Sequence, residues 1–132
     1  MAKVLIVEDE EVLAKVLREK FTDEGYGTEI AKDGDEGSAM VKKSKPDIVL
    51  LDLILPKKHG LVILEEIKND PETKDIPVVV LSNLAEDDNI KKALELGASD
   101  YFVKAQHPIG EIVEKVSSIL VGPQKVNEKN KK

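Results

Sequence analysis

The stretch from Asp47 to Gly60, Asp47-Ile48-Val49-Leu50-Leu51-Asp52-Leu53-Ile54-Leu55-Pro56-Lys57-Lys58-His59-Gly60, constrains this chain more than any other. Ile48 to Leu51 are four consecutive large apolar residues, two of them β-branched. Such a run reads as a strand buried on both faces, the kind found inside parallel sheets. It delivers one carboxylate, Asp52, into a loop punctuated by Pro56 and Gly60. Open α/β sheets take their ligands outside the carboxyl ends of the strands, so Asp52 stands where that architecture puts its chemistry. Capping of the next turn or helix is the plainer alternative, and the rest of the chain decides between them.

Three further runs have the same character. Lys3-Val4-Leu5-Ile6-Val7 ends abruptly in Glu8-Asp9-Glu10-Glu11, Pro77-Val78-Val79-Val80-Leu81 ends in Ser82-Asn83, and the short Tyr101-Phe102-Val103 ends in Lys104. A fifth strand, Thr28 to Ala31, follows Gly25 and Gly27. Helical spacing fills the intervals: Val12, Leu13, Val16, Leu17 and Phe21 on one face; a segment from Asp35 to Lys43, stopped by Pro46; Leu61, Leu64 and Ile67; and Ile90, Ala93, Leu94 and Leu96 before Gly97. Ile109, Ile112, Val113, Val116, Ile119 and Leu120 give the clearest amphipathic helix, expected to end at Gly122-Pro123. Five strands alternating with five helices predict a doubly wound parallel sheet. Strand order is not readable from spacing. With the order 2-1-3-4-5, the ends of strands 1 and 3 adjoin, and Glu8, Asp9 and Asp52 share one crevice.

At 132 residues the chain is one domain with a short tail. It has no cysteine, which removes disulfides and thiolate metal sites. No apolar stretch reaches spanning length and no signal-peptide pattern precedes the first strand, so the chain reads as soluble and cytoplasmic, without membrane insertion. The net charge is −6; the last nine residues, four lysines against one glutamate, carry +3, which leaves −9 on the body. An acidic body argues against direct nucleic-acid binding, which rests on neutralising phosphates.

Polar residues thus stand at the ends of the apolar runs: Glu8 and Asp9, Asp52, Ser82, Lys104. Singly, each has a structural role open to it: acids favour a helix N-terminus, serine caps, lysine snorkels. Together they form a chemical set. Three carboxylates repel unless a cation joins them, and oxygen-only ligands select a hard ion such as Mg²⁺. A hydroxyl and an ammonium opposite are what phosphoryl oxygens require.

The chain resembles the response-regulator receiver domains of two-component signalling, of the stand-alone type related to chemotaxis regulators, from about Lys3 to Leu120. The resemblance rests on Val7-Glu8-Asp9, on Asp52 with Pro56 and Gly60 behind it, on Ser82, on Gly97-Ala98-Ser99-Asp100-Tyr101 and on Lys104. It implies the flavodoxin-like order 2-1-3-4-5, a receiver domain over 1–122 and a flexible, basic tail at 123–132. Asp52 would be the phosphoacceptor, charged by a histidine kinase, a phosphotransfer protein or a small phosphodonor. Asp9 would ligate Mg²⁺ directly, with Glu8 helping through water and the main-chain carbonyl of Ile54 and Asp52 itself completing the protein ligands. Lys104 and Ser82 would each bind a phosphoryl oxygen. Tyr101 matches the aromatic switch position, and helix 4, strand 5 and helix 5, roughly Glu86 to Leu120, would present the changed face to a downstream protein. Such a domain is a signalling switch that assists only its own phosphorylation and dephosphorylation, as a monomer or a phosphorylation-dependent dimer.

Three departures stand out. Ala105 follows Lys104 where most members have a cis proline, which puts the position of the Lys104 ammonium in question. Ile54 and Leu84 are apolar where many relatives are polar, a pair expected to shield the acyl phosphate from water. His59 and His107 are expected at the surface. Two other chemistries are weighed and set aside. A Mg²⁺-dependent phosphohydrolase resembling haloacid dehalogenases would have a second acid where Ile54 stands. A flavin or nucleotide module needs a glycine- or hydroxyl-rich loop where Glu8 to Glu11 stand. A pure interaction domain with a vestigial site is the third alternative, and the intact set of site residues opposes it.

Overall fold

A computed structural model of the protein describes the backbone of residues 1–130 and the side chains of residues 1–121. The chain runs β1 (Lys3–Val7), α1 (Glu11–Asp23), β2 (Gly27–Ala31), α2 (Gly34–Ser44), β3 (Ile48–Leu51), α3 (Gly60–Asn69), β4 (Val78–Ser82), α4 (Asp87–Glu95), β5 (Asp100–Val103) and α5 (Ile109–Asn130). The strands pair in parallel in the order β2-β1-β3-β4-β5. Every element that the apolar patterning predicts is present, and the order is the one the resemblance implies.

The unbroken apolar runs follow from helices on both faces of the sheet. Leu5, Val7, Val49, Leu51, Val78 and Val80 point to one side and meet Val41 of α2, Ile63, Leu64 and Ile67 of α3 and Ala93 of α4. Val4, Ile6, Ile48, Leu50, Val79 and Leu81 point to the other, against Leu17 and Phe21 of α1 and Ile112, Val113 and Val116 of α5. Successive residues alternate between the two faces, as strand geometry requires. Both faces are apolar, so no polar residue interrupts the central strands.

Local chemistry sets the helix starts. Asp33 caps α2 by accepting the Glu36 N–H at 2.8 Å, while the Glu36 carboxylate reaches back to the Lys32 N–H at 3.0 Å. His59, exposed as expected, caps α3 through Nδ1, which accepts the Leu61 N–H at 3.0 Å.

Three expectations need correction. Val12 does not share the buried face of α1; it is 78% exposed, and Ala14, Leu17 and Phe21 are the buried positions. Val12 stands five positions before Leu17, which at 3.6 residues per turn leaves it well off the core stripe. Leu94, placed on the apolar side of α4, is 44% exposed, and Ala93 is the buried residue of that helix. Finally, α5 does not stop at Gly122-Pro123 but continues to Asn130. Proline's fixed φ is compatible with helical backbone, and its interior cost is a lost i→i−4 bond and a local clash. Side chains of the predicted tail from 123 onward lie outside the described residues, as do Lys131 and Lys132 entirely.

Candidate functional site

The register of the three central strands brings the site together. Val7 pairs with Leu51, and Leu51 with Val80, so the residues that follow β1, β3 and β4 leave the same edge of the sheet side by side. The Asp52 N–H donates to the Val7 carbonyl at 3.0 Å, and the Glu8 N–H to the Ala31 carbonyl at 2.9 Å. On the far side, the Lys104 N–H donates to the Ser82 carbonyl at 2.9 Å. Each functional residue is therefore held by a ladder-type bond to the neighbouring strand.

Gly60 fixes the loop behind Asp52. Its N–H donates to the Leu53 carbonyl at 2.7 Å. A Cβ added there would run into the Asp52 carbonyl oxygen and the Leu53 backbone. Only glycine permits that approach.

The side chains converge on one ammonium. Lys104 Nζ lies 2.9 Å from Asp52 Oδ2 and 2.9 Å from Glu8 Oε1, and it also bonds Glu10 Oε2. Asp52 Oδ1 accepts the Ile54 N–H at 3.2 Å, and Glu8 Oε2 accepts the Glu10 N–H at 3.0 Å. Asp52 is 5% exposed and Glu8 3%, so two carboxylates are taken almost wholly out of water. One oxygen from each of Glu8, Glu10 and Asp52 lies within 4.8 Å of the others.

One ammonium cannot balance three acids. Burial, aided by the Asp52 charge, pushes the Glu8 carboxyl up from 4.5 to about 7, against the Lys104 and Glu10 N–H bonds that pull it down. For Lys104, burial works against the charged form, but the carboxylates of Glu10, Glu8 and Asp52 outweigh it and raise the ammonium further. The pocket thus carries surplus negative charge in a desolvated place, surrounded by oxygen donors alone. That donor set fits a hard divalent cation.

Of the residues expected to share the crevice, the structure gathers Asp52, Glu8 and Lys104. Asp9 is not among them. It is exposed, and its carboxylate joins no ion pair among the described residues. The third acid is Glu10, which the ends of the apolar runs do not single out. The available signal is its position two residues beyond Glu8, with its own N–H turned onto the Glu8 carboxylate.

Ser82 is fully buried at the end of β4, where its Oγ accepts the Leu84 N–H at 3.3 Å. Tyr101 is turned inward, 8% exposed, and its hydroxyl donates to the Leu84 carbonyl at 2.6 Å. The Lys104 ammonium reaches the site with Ala105 behind it and with no cis peptide bond among the described residues. His107 is half-buried rather than fully at the surface, edge-on to Phe102 at 5.0 Å and 2.8 Å from Glu111.

Residues 4–117 match the response regulator receiver domain family. The chain belongs to that family. Receiver domains are the phosphoacceptor switches of two-component response regulators, signalling modules rather than turnover enzymes. This receiver domain is 37% identical over 112 residues to the response regulator PleD of Caulobacter vibrioides, covering 85% of this chain and 24% of that protein. Among solved structures it is similar to a CheY-like receiver domain protein from Methanospirillum hungatei, with a TM-score of 0.86 at 25% identity over 95% of this chain and 98% of that one. It is also similar to the Mn²⁺-bound form of the response regulator Rcp1, with a TM-score of 0.80 at 29% identity over 89% and 93% of the two chains. The receiver domain spans between 24% and 52% of the length of the curated relatives it matches. Among the described residues no helix is long and apolar enough to cross a membrane.

Proposed function

We propose that Asp52 accepts the phosphoryl group, from a kinase phosphohistidine or a small donor such as acetyl phosphate, and that the change is read on the 86–120 face by a partner protein. The observation that carries this reading is the buried Asp52 carboxylate at the end of β3 with the Lys104 ammonium 2.9 Å from Oδ2. In the transfer, an Asp52 oxygen forms a bond to phosphorus while the donor's P–N or P–O bond breaks, and the leaving group takes the electron pair. Lys104 neutralises a phosphoryl oxygen, and the Ser82 hydroxyl donates to another.

Mg²⁺ would be held by Asp52, Glu8 and Asp9, with the Ile54 carbonyl, and it would supply charge neutralisation across the transferring oxygens. The fit rests on the surplus negative charge and the all-oxygen donors, and the Mn²⁺-bound form of Rcp1 supports it by similarity. Asp9 is assigned this role by its place in the Val7-Glu8-Asp9 motif, and its exposed carboxylate joins no ion pair among the described residues.

The readout follows from the loop behind β4. Ser82 and Tyr101 both bond Leu84, through its N–H and its carbonyl. A Ser82 hydroxyl drawn to a phosphoryl oxygen would shift Leu84, and the Tyr101 ring with it, which biases a two-state element.

Intact mass spectrometry tests the reading, after incubation with acetyl phosphate and Mg²⁺. One phosphoryl adduct is expected on wild type, absent in EDTA and absent in Asp52→Asn. An adduct that survives in Asp52→Asn would place the acceptor elsewhere.

A further inference from the structure

Lys104 has three N–H donors, and three carboxylates take them. A phosphoryl oxygen arriving at Asp52 can gain this ammonium only if one of those bonds is given up. The three acids are not equally able to leave. Glu8 is 3% exposed and is tied a second time through the Glu10 N–H. Asp52 is the acceptor, and its other oxygen is tied to the Ile54 N–H.

Glu10 is different. Its side chain is 55% exposed, and Lys104 is its one ion-pair partner among the described residues. It is the N-cap residue of α1, yet its carboxylate makes no cap hydrogen bond to the helix. The side chain reaches across the mouth of the pocket to the ammonium instead.

We propose that Glu10 is a positioning residue, a latch that holds the Lys104 ammonium in the unphosphorylated domain and must release it before the phosphoryl group can be bound. The inference rests on the reading of Asp52 as acceptor. Glu10 is more than half exposed, so its carboxylate can pass to solvent, and its release is the least costly of the three. An exposed ion pair contributes little, so the latch tunes readiness rather than blocking it: its loss is worth about threefold in affinity for a phosphoryl mimic.

The test uses the whole chain as wild type, Glu10→Gln, Glu10→Ala and Glu11→Gln. Glu11 is the neighbouring control, because it carries the same charge but lies 3.7 Å from Lys32 instead of Lys104. Mg²⁺ alone is titrated by calorimetry, and beryllofluoride is titrated at saturating Mg²⁺ by backbone amide NMR. Both Glu10 variants are expected to bind beryllofluoride about threefold more tightly than wild type at saturating Mg²⁺, with Glu11→Gln unchanged. Equal tightening in Glu11→Gln would reduce the effect to general charge and overturn the latch. So would unchanged or weaker beryllofluoride binding in the Glu10 variants. A loss of about tenfold or more in Mg²⁺ affinity would make Glu10 a ligand of the metal or a support of its ligands, and would overturn the latch. Wild type that binds Mg²⁺ but no beryllofluoride would sink the acceptor reading itself, and the latch with it.

Discussion

Helices α3 and α4 follow neighbouring strands and have nearly the same length, but they are fastened very differently. α3 buries Gly60, Ile63, Leu64 and Ile67, and the loop before it is bonded at every turn. The Gly34 N–H meets the Pro56 carbonyl at 3.0 Å, Gly60 meets Leu53, and Lys58 Nζ binds both Ser38 and Glu66 at 3.0 Å. α4 buries Ala93 alone. The loop before it is tied to the sheet through Leu84, by Ser82 and Tyr101. Asp52 therefore sits at a tightly bonded junction, and the face assigned to readout begins at α4, a helix that buries a single residue. Elements that move in a switch are drawn from the low-stability end of a structure.

The most severe way to break this contrast is at α3. Gly60→Ala has nowhere to put its Cβ and should cost about 3 kcal/mol or more of unfolding free energy. Leu64→Ala should cost about 2–5 kcal/mol by leaving a cavity. On α4, Leu94→Ala should stay within about 0.5 kcal/mol. Denaturant melts of the three variants check this, and equal costs at Leu64 and Leu94 would erase the comparison.

The pocket gives the next effect. Asp52→Asn removes one of three crowded acids, so in EDTA the variant should be more stable than wild type by about 1–2 kcal/mol. Mg²⁺ should raise the melting temperature of wild type and raise that of the variant less. A variant that melts lower than wild type in EDTA would mean that the acids do not repel across this pocket.

Glu8 adds a pH dependence whose sign is unusual for a carboxylate. Its folded value of about 7 lies above the ordinary 4.5, so between those values the native state holds a proton that the unfolded chain has released. Metal-free stability should therefore fall as pH rises from about 4.5 to about 7, and Glu8 should contribute no slope outside that window. Glu8→Gln should flatten the slope in thermal melts across that range. A wild-type melting temperature that rose steadily through the window would contradict the account.

A single hydroxyl sharpens the α4 side. Tyr101→Phe removes the hydroxyl that holds the Leu84 carbonyl and should cost about 1 kcal/mol. Its amide exchange should quicken around residues 82–90 while α3 is unchanged. Faster exchange in α3 as well would show that the two helices are not independently fastened.

Much of this was legible in the residues. Unbroken apolar runs can be buried only between two helical layers, so the strands and the position of Asp52 followed from Ile48 to Leu51 and their counterparts. Lys104 and Ser82 were legible because each ends an apolar run. The bond from Lys104 to Glu10 was not, because spacing does not reveal which way a bent segment after a strand turns its side chains. Here the Glu10 N–H bonds the Glu8 carboxylate, and the Glu10 side chain reaches Lys104 from the exposed side. The exposure of Val12 and Leu94 was hidden for a related reason: on a short helix an apolar residue beside the core stripe looks like part of it. The extension of α5 past Pro123 runs against local preference.

Amide hydrogen exchange with and without beryllofluoride, both in Mg²⁺, tests the central claim most directly. Before addition, α4 amides should exchange faster than those of α3. On addition, protection should change at residues 82–104 and along the α4–β5–α5 face, while Gly60–Asn69 stays constant. A response confined to Asp52 and its immediate neighbours, or one spread evenly over both helices, would contradict a switch that couples this acceptor to that face.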